Sequence, residues 1–142
     1  MRPLRFVVLC ALLASLALAV GCGDKLIPVE GTVTVGKGPL KKGDVTYHPD
    51  REGGNTQTYP VLPSGKVDEN GKYVLSTGGK PGAPPGKYKV TVTSTEPGDP
   101  KDPYSMPRHL IDKSHSAYET TKIKIEVKGG APAGQYDITL EK

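Results

Sequence analysis

Three polar residues with a regular spacing are the first candidates for chemistry in this chain. His109, Asp112 and His115 follow one another at intervals of three. On a helical turn this spacing could place two imidazoles and a carboxylate around a metal ion. Arg108 and Lys113 flank the group and would repel a cation, and neither a cap nor a helical pattern supports the turn. We therefore expect no metal site and no cofactor, and a metal-dependent or His-based hydrolase is the least favoured function.

Cys22 is the second candidate, and it stands directly after an uncharged segment. Arg2 and Arg5 open the chain, an apolar run follows, and Ala-Val-Gly at positions 19–21 precedes the cysteine. A basic start, an apolar stretch and small residues are the order of an export signal. The run is shorter than the roughly 20 apolar residues that span a membrane, so cleavage is expected. An ordinary secretory signal followed by an unrelated cysteine is the alternative.

The residues around the cysteine resemble a bacterial lipobox, in which lipoprotein signal peptidase cuts before a cysteine already diacylated on its sulfur. The residue three positions before that cysteine is usually Leu, and here it is Ala19. The resemblance implies that Cys22 is the first residue of the mature protein and its lipid attachment point. Asp directly after the cysteine commonly retains a lipoprotein in the inner membrane. Here Gly23 stands there, which favours the outer membrane if the host has two.

The cysteine count agrees with this interpretation. Cys10 lies in the apolar run and would leave with the signal, so Cys22 is the single thiol of the mature chain. One thiol excludes an internal disulfide and a zinc site of the CxxC type. We expect a signal peptide over residues 1–21, a lipidated tether over 22–27 and one domain over 28–142, which is long enough for a modest core.

The charge balance gives no sign of a nucleic-acid partner. The whole chain has 19 basic and 15 acidic side chains, and removal of Arg2 and Arg5 leaves 17 basic residues and a net charge of +2. The remaining lysines are scattered and form no block. A nucleic-acid-binding domain usually carries a concentrated basic patch. No nucleic acid is therefore expected among the partners.

The composition and the hydrophobic alternation predict an all-β domain. The chain has 18 Gly and 14 Pro, which separate short runs of Val, Ile, Thr and Tyr. Each run alternates apolar and polar residues with a period of two, so each strand should have one buried and one wet face. His48 falls on a wet face. The predicted strands are Val29–Val35, Asp44–His48, a weaker strand within Val61–Val67, Lys72–Thr77, Lys87–Thr93, Thr121–Val127 and Gln135–Glu141.

Four of these stretches together resemble a known family. They read V-E-G-T-V-T-V, G-P-L-K-K-G-D-V-T-Y-H-P-D, V-D-E-N-G-K-Y-V-L and G-A-P-P-G-K-Y-K-V-T-V. This succession is similar to the carboxypeptidase regulatory-like domain of bacterial lipoproteins and covers residues 28–94; residues 123–140 fit the last two strands. The resemblance implies a seven-stranded antiparallel Greek-key β-sandwich of the transthyretin-like type. Such domains are accessory modules, usually without demonstrated catalysis, so no catalytic residue is expected.

The segment from Thr95 to Thr120 is the best candidate for a binding loop. It has 26 residues, contains four prolines and shows no periodicity. Loops longer than about 12 to 15 residues in compact domains are usually functional or disordered. The side chains that could make contacts there are Tyr104, Arg108, His109 and Tyr118. Tyr59, Tyr104 and Tyr118 are the tyrosines not expected to point inward.

The sequence thus favours a lipoprotein of the cell envelope. Its β-sandwich would serve as a non-catalytic structural or interaction module, held at the membrane through acylated Cys22. An envelope protein or a glycan is the expected partner. The alternative is a glycan- or peptide-binding module that uses the 95–120 loop, although the chain has no Trp to form a sugar platform.

Overall fold

The computed structural model describes residues 25–141 of the chain. Within this range there is no α-helix, which confirms the all-β prediction, and no helix is long and apolar enough to cross a membrane. The 95–120 segment, which was expected to be irregular, contains two short strands and one turn of 3-10 helix at Lys113–His115. The strands in chain order are β1 (Glu30–Val35), β2 (Gly38–Pro39), β3 (Gly43–Pro49), β4 (Ser64–Val67), β5 (Lys72–Val74), β6 (Ser76–Thr77), β7 (Lys80–Pro81), β8 (Gly86–Thr93), β9 (Thr95–Glu96), β10 (Arg108–His109), β11 (Lys124–Val127) and β12 (Ile138–Leu140).

The larger sheet is antiparallel and contains six strands in the order β11-β8-β3-β4-β6-β7. Its centre is the long ladder between β3 and β8, which runs from Asp44 opposite Thr93 to Pro49 opposite Tyr88. Strand β11 adds to the other edge of β8 with Lys124 opposite Lys89. His48, Lys89 and Lys124 therefore form one row across three neighbouring strands.

The smaller sheet is organised around β1. Strand β5 pairs with the first half of β1 in antiparallel fashion, and β2 folds back on its second half. Strand β12 pairs with the other edge of β1 in parallel, with Val33 opposite Ile138 and Val35 opposite Leu140. This parallel pair corrects the expectation of a purely antiparallel arrangement.

The predicted strand from Lys72 to Thr77 is split between the two sheets. Its first part, β5, pairs with β1, whereas Ser76 of β6 pairs with Ser64 of β4. A tight turn at residues 68–71 precedes this strand. The Asp68 Oδ1 atom accepts hydrogen bonds from the backbone N–H groups of Asn70 and Lys72, both at 2.8 Å. Gly71 has a φ of 79°, which a residue with a side chain rarely adopts.

One hydrophobic cluster combines the apolar residues of both sheets. The inward positions predicted from alternation are buried, except that Val35, Ile123 and Ile125 are half-buried. The two isoleucines lie in or next to β11, the edge strand of the larger sheet. The fully buried members of the predicted set include Val29, Val33, Val45, Tyr47, Tyr73, Leu75, Tyr88, Val90 and Val92.

Hydrogen bonds between tyrosines join the two sheets inside this core. The hydroxyl of Tyr47 on β3 lies 2.9 Å from that of Tyr73 on β5, and the Tyr73 hydroxyl donates to the carbonyl of Tyr136 at 2.5 Å. Tyr88 donates to the carbonyl of Pro84 at 2.8 Å. Burial raises the pKa of Tyr47, Tyr73 and Tyr88 above the ordinary value. These phenols stay neutral and act as structural hydrogen-bonding groups.

The middle of the outer face of β8 is not wet, contrary to the prediction, whereas Lys87 and Thr93 near its ends are exposed as predicted. Lys89 is 8% exposed and Thr91 is 6% exposed, although both have the parity of a solvent-facing residue. Residues 110–121 cross over this face, and Ser116 and Thr121 donate hydrogen bonds to the carbonyls of Val92 and Val90. The central strand is therefore covered on both sides, on one side by the core and on the other by a loop.

Candidate functional site

The long 95–120 segment consists of two parts with different roles. Residues 95–109 form a projecting hairpin, here called the arm, and residues 110–121 form a cover segment over the outer face of β8. The two parts meet where the N–H of Leu110 donates to the carbonyl of Ser94 at 2.9 Å and Ile111 becomes buried. The sequence predicted a binding loop over this segment, but no sequence pattern predicted its division into an arm and a cover segment.

The stem of the arm is the short antiparallel pair of β9 and β10, with Glu96 opposite Arg108 and Thr95 opposite His109. The guanidinium group of Arg108 lies 2.7 Å from Glu96, and the ammonium group of Lys42 lies 3.7 Å from the same carboxylate. The hydrogen bond from Arg108 and the charge of Lys42 lower the pKa of Glu96. Arg108 therefore fixes the stem and has its charge already compensated.

The tip of the arm, residues 97–107, is ordered by hydrogen bonds within itself. The Asp99 carboxylate accepts from the N–H of Lys101, and the Asp102 carboxylate accepts from the N–H of Tyr104, both at 2.9 Å. The hydroxyl of Ser105 accepts from the N–H of Asp99 at 2.8 Å, which closes the tip. Side chains of this kind satisfy turn backbones and fix their conformation.

Two large apolar side chains stand out from this ordered tip. Tyr104 is 90% exposed and Met106 is 82% exposed. Among the tyrosines of residues 25–141, Tyr104 is the single exposed one, because Tyr59 and Tyr118 are half-buried. Tyr59 stacks on Tyr88 with ring centres 6.4 Å apart. A glycan platform built from three exposed tyrosines is thus not formed.

Tyr118 lies in the cover segment and not beside the other predicted binding residues. Its ring meets the ring of His48 edge-on at 5.7 Å, and the Lys89 ammonium group lies 4.7 Å from the ring centre. The structure brings Tyr104, Arg108 and His109 together on the arm and places Tyr118 on the sheet face. Thr95, where the arm begins, is six residues along the chain from Lys89, which corresponds to about 20 Å of extended strand.

His48 is half-buried under the cover segment, and this corrects the solvent-facing position predicted for it. Its Nε2 atom lies 3.0 Å from the hydroxyl of Thr91. Burial lowers the pKa of His48, and the negative charge of Glu119 opposes this effect. The imidazole is thus kept neutral next to Lys89, which suits a packing role.

Asp50 anchors the end of β3 to the neighbouring strands. It is 3% exposed, accepts a hydrogen bond from the N–H of Gly53 and pairs with the Lys124 ammonium group at 3.2 Å. Burial alone would raise the pKa of Asp50, but the Gly53 bond and Lys124 outweigh it and hold this pKa below its ordinary value. Such a carboxylate stays charged and structural.

The three residues spaced by threes do not converge on one point. His109 lies on the arm stem, whereas Lys113–His115 forms a turn of 3-10 helix capped by Asp112. The Asp112 carboxylate accepts from the N–H of Ser114 at 2.7 Å, and these Ser114 contacts lower its pKa. The cap was not foreseen from the sequence. Within residues 25–141, no three His, Cys, Asp or Glu side chains are grouped so that they could hold a metal ion.

Cys22 and the proposed signal peptide lie outside the described residues. Within the described residues, the candidate site is the tip of the arm, where Tyr104 and Met106 are exposed and could make contacts. Comparison of the chain with family models, with curated proteins and with solved structures finds no match.

Proposed function

We propose that the protein is an exported lipoprotein of the cell envelope. Its mature chain begins at Cys22, which carries acyl chains such as palmitate and anchors the molecule. The observation that carries the proposal is the position of this cysteine, directly after an apolar segment that ends in Ala19, Val20 and Gly21. Stable anchoring needs about two lipid chains, which a diacylated cysteine provides without any apolar surface on the domain.

The anchored part is a carboxypeptidase regulatory-like domain over residues 28–142, with the seven-stranded Greek-key sandwich of transthyretin-like proteins. Two observations support this architecture: both sheets contribute to one core, and Tyr47 of the larger sheet contacts Tyr73 of the smaller. We propose that the domain serves as a non-catalytic structural or interaction module. The titratable groups of the sheet face support this role, because Asp50, His48 and Lys89 are engaged in packing, ion pairs and hydrogen bonds.

Metabolic labelling with a fatty acid tests the anchor. The wild-type chain should incorporate the label, and the Cys22→Ser chain should not. A Cys10→Ser chain is the matched control, because Cys10 leaves with the signal and its replacement should leave labelling unchanged. Fractionation of a two-membrane envelope should place the labelled chain in the outer membrane. Label that persists in Cys22→Ser would refute the lipoprotein assignment.

The second candidate function is glycan or peptide binding through the 95–120 segment. The ordered tip with exposed Tyr104 favours it. A glycan array on which the protein gives a signal, and on which Tyr104→Ala loses at least 90% of that signal, would establish it. Tyr118→Phe is the matched control, because Tyr118 packs on the sheet face and should not affect this surface.

A further inference from the structure

The first described residues of the chain are held to one end of the domain. The N–H of Ile27 donates to the carbonyl of Ala83 at 2.8 Å, and the N–H of Ala83 donates back to the carbonyl of Ile27 at 2.9 Å. Ala83 shortly precedes β8, which begins at Gly86, and the arm begins at Thr95, shortly after β8 ends. A strand of eight residues measures about 23 Å between its first and last Cα atoms. The chain therefore enters the fold at one end, and the arm projects from the other.

This entry point limits the distance between the domain and a lipid on Cys22. Gly23 and Asp24 stand between Cys22 and Lys25, which is the first described residue. Three residue steps of fully extended chain span about 10 Å. The pairing of Ile27 leaves little further slack after Lys25. In a chain acylated at Cys22, the surface around Lys25 must therefore lie within roughly this distance of the membrane.

A groove, here called the entry groove, occupies this surface. Its volume is about 710 Å³, and Leu26, Val74 and Ala131 are among the apolar residues that line it. Val74 is 59% exposed. Its neighbours Tyr73 and Leu75 point into the core, so alternation along β5 turns Val74 outward. The entry groove thus presents an apolar side chain to solvent at the end of the domain that the tether would hold at the membrane.

Long cationic side chains surround this apolar patch. The charged residues that line the entry groove are the exposed Lys25, Lys72, Lys128, Glu30 and Asp137. The Asp137 carboxylate accepts a hydrogen bond from a backbone N–H of β1 at 2.8 Å. Among the described residues, Lys25 and Lys72 have no carboxylate within ion-pair distance, and the carboxylate near Lys128 belongs to an exposed residue at 3.8 Å. These ammonium groups can therefore turn toward another anion.

Phospholipid headgroups match this combination of groups. A lysine can keep its methylene stem beside apolar side chains while its ammonium group reaches a phosphate oxygen. Every phospholipid carries a phosphate, so the contact requires no net positive charge in the entry groove. Anionic lipids strengthen the attraction to each lysine.

We propose that the entry groove is the face with which the anchored domain lies on the phospholipid surface, with Val74 among the headgroups and the three lysines on lipid phosphates. This inference rests on the proposed acylation of Cys22, because the short tether holds the entry groove at the membrane. Any other occupant would have to enter a gap of only about 10 Å. In this orientation the tip of the arm faces away from the membrane.

Fluorescence quenching in reconstituted vesicles tests the contact. The acylated full-length chain should have no free thiol, because Cys10 leaves with the signal and the Cys22 sulfur carries lipid. Val74→Cys and Tyr104→Cys chains can therefore be labelled singly with an environment-sensitive fluorophore. The vesicles contain phosphatidylethanolamine and phosphatidylglycerol. A nitroxide on the lipid headgroup should quench the Val74→Cys label at least about five times more than the Tyr104→Cys label, because the arm projects from the other end.

A longer tether separates binding from forced proximity. Insertion of about ten Gly and Ser residues between Asp24 and Lys25 adds about 17 Å of mean reach. The label at Val74→Cys should keep most of its quenching, because the entry groove binds lipid by its own contacts. Loss of quenching in this chain would show that the short tether alone causes the proximity.

Charge reversal in the long-tether chain identifies the groups that make the contact. Lys72→Glu combined with Lys128→Glu should reduce the quenching at least about five-fold and leave the thermal midpoint unchanged, because both side chains are exposed. Lys41→Glu combined with Lys101→Glu is the matched control. It makes the same change of charge at exposed positions outside the entry groove and should leave the quenching unchanged.

Two further outcomes would overturn the proposal. One is equal quenching of the labels at Val74→Cys and Tyr104→Cys. The other is a Val74→Cys label that reports an apolar environment but escapes the lipid quencher, because a protein surface would then cover the entry groove. Mass spectrometry measures the lipid on the same samples. An acylated chain without quenching refutes the membrane contact alone, whereas a chain without lipid refutes the anchor.

Discussion

The ammonium group of Lys89 lies 4.7 Å from the centre of the Tyr118 ring. Lys89 belongs to the central strand β8, and Tyr118 belongs to the cover segment that crosses it. The same lysine pairs with Glu52 at 3.4 Å and is 8% exposed. A lysine is rarely buried to this extent without such partners. The contact shows that the cover segment is part of the folded structure, whereas the arm projects from it.

Replacement of Tyr118 should therefore destabilise the domain, whereas replacement of Tyr104 should not. Tyr118→Ala removes a half-buried ring from Lys89 and His48 and should lower the free energy of unfolding by about 2 kcal/mol. Tyr104→Ala should change it by less than about 0.5 kcal/mol, because the ring is exposed. Urea denaturation of both variants measures the difference. Equal losses would contradict the division into arm and cover segment.

Acidification should weaken the contact around His48. The pKa of His48 is lowered in the folded state from its ordinary value of 6.5, first by burial. The unfolded chain then binds the proton more tightly, so this contribution to stability is complete above pH 6.5 and is lost as the pH falls toward the folded pKa. Denaturation between about pH 8 and pH 5 should show a smaller decline for His48→Gln than for the wild type. Parallel declines would show that His48 is not the responsible group.

Replacement of Asp50 should lower the free energy of unfolding more than replacement of an exposed acidic residue. Asp50→Asn keeps the shape but removes a buried charge from Lys124 and the Gly53 N–H, so we expect a loss of about 1 to 3 kcal/mol. Glu126→Gln is the matched control, since Glu126 is exposed and pairs with Lys128 at 3.8 Å; its effect should stay within about 0.5 kcal/mol.

The pH dependence of the same pair follows from the lowered pKa of Asp50. Its stabilising contribution is present above the ordinary aspartate value of 3.8 and disappears as the pH falls through the lower folded pKa. The stability difference between wild type and Asp50→Asn should therefore shrink in acid. A difference that stays constant down to the acid transition would be inconsistent with a charged Asp50.

The hydrogen bond between Tyr47 and Tyr73 should show coupling in a double-mutant cycle. Tyr73→Phe leaves the Tyr47 hydroxyl and the Tyr136 carbonyl without their partner, and each single Phe substitution should cost about 1 to 2 kcal/mol. The double substitution should cost less than the sum by at least about 0.5 kcal/mol, because the two hydroxyls share one bond. Additive losses would indicate that this bond does not join the sheets.

The alternation of apolar and polar residues was sufficient to predict which face of each strand packs into the core. Tyr47, Tyr73, Tyr88 and Tyr136 were all expected to point inward, and all are buried. Alternation has the same period in either direction, so it could not reveal that β12 runs parallel to β1. It also could not reveal which outer face a distant loop would cover.

The candidate site was predicted only in part for a similar reason. A loop rich in proline indicated a functional segment, and Tyr104 proved to be exposed on it. Tyr118 is also a tyrosine of this segment, but it packs against Lys89 and His48. These contacts depend on long-range packing, so the local sequence could not predict them. The tip is ordered because the carboxylates of Asp99 and Asp102 accept hydrogen bonds from nearby backbone N–H groups. Hydrophobic periodicity does not reveal such contacts.

Acylation of Cys22 as the first residue of the mature protein is the proposal on which the anchored module depends. Mass spectrometry of the N-terminal tryptic peptide tests it most directly, because trypsin should release residues 22–25 after Lys25. We expect a peptide that begins at Cys22 and carries a diacylglyceryl group on its sulfur. A peptide that begins at another residue, or that contains Cys22 as a free thiol, would contradict it.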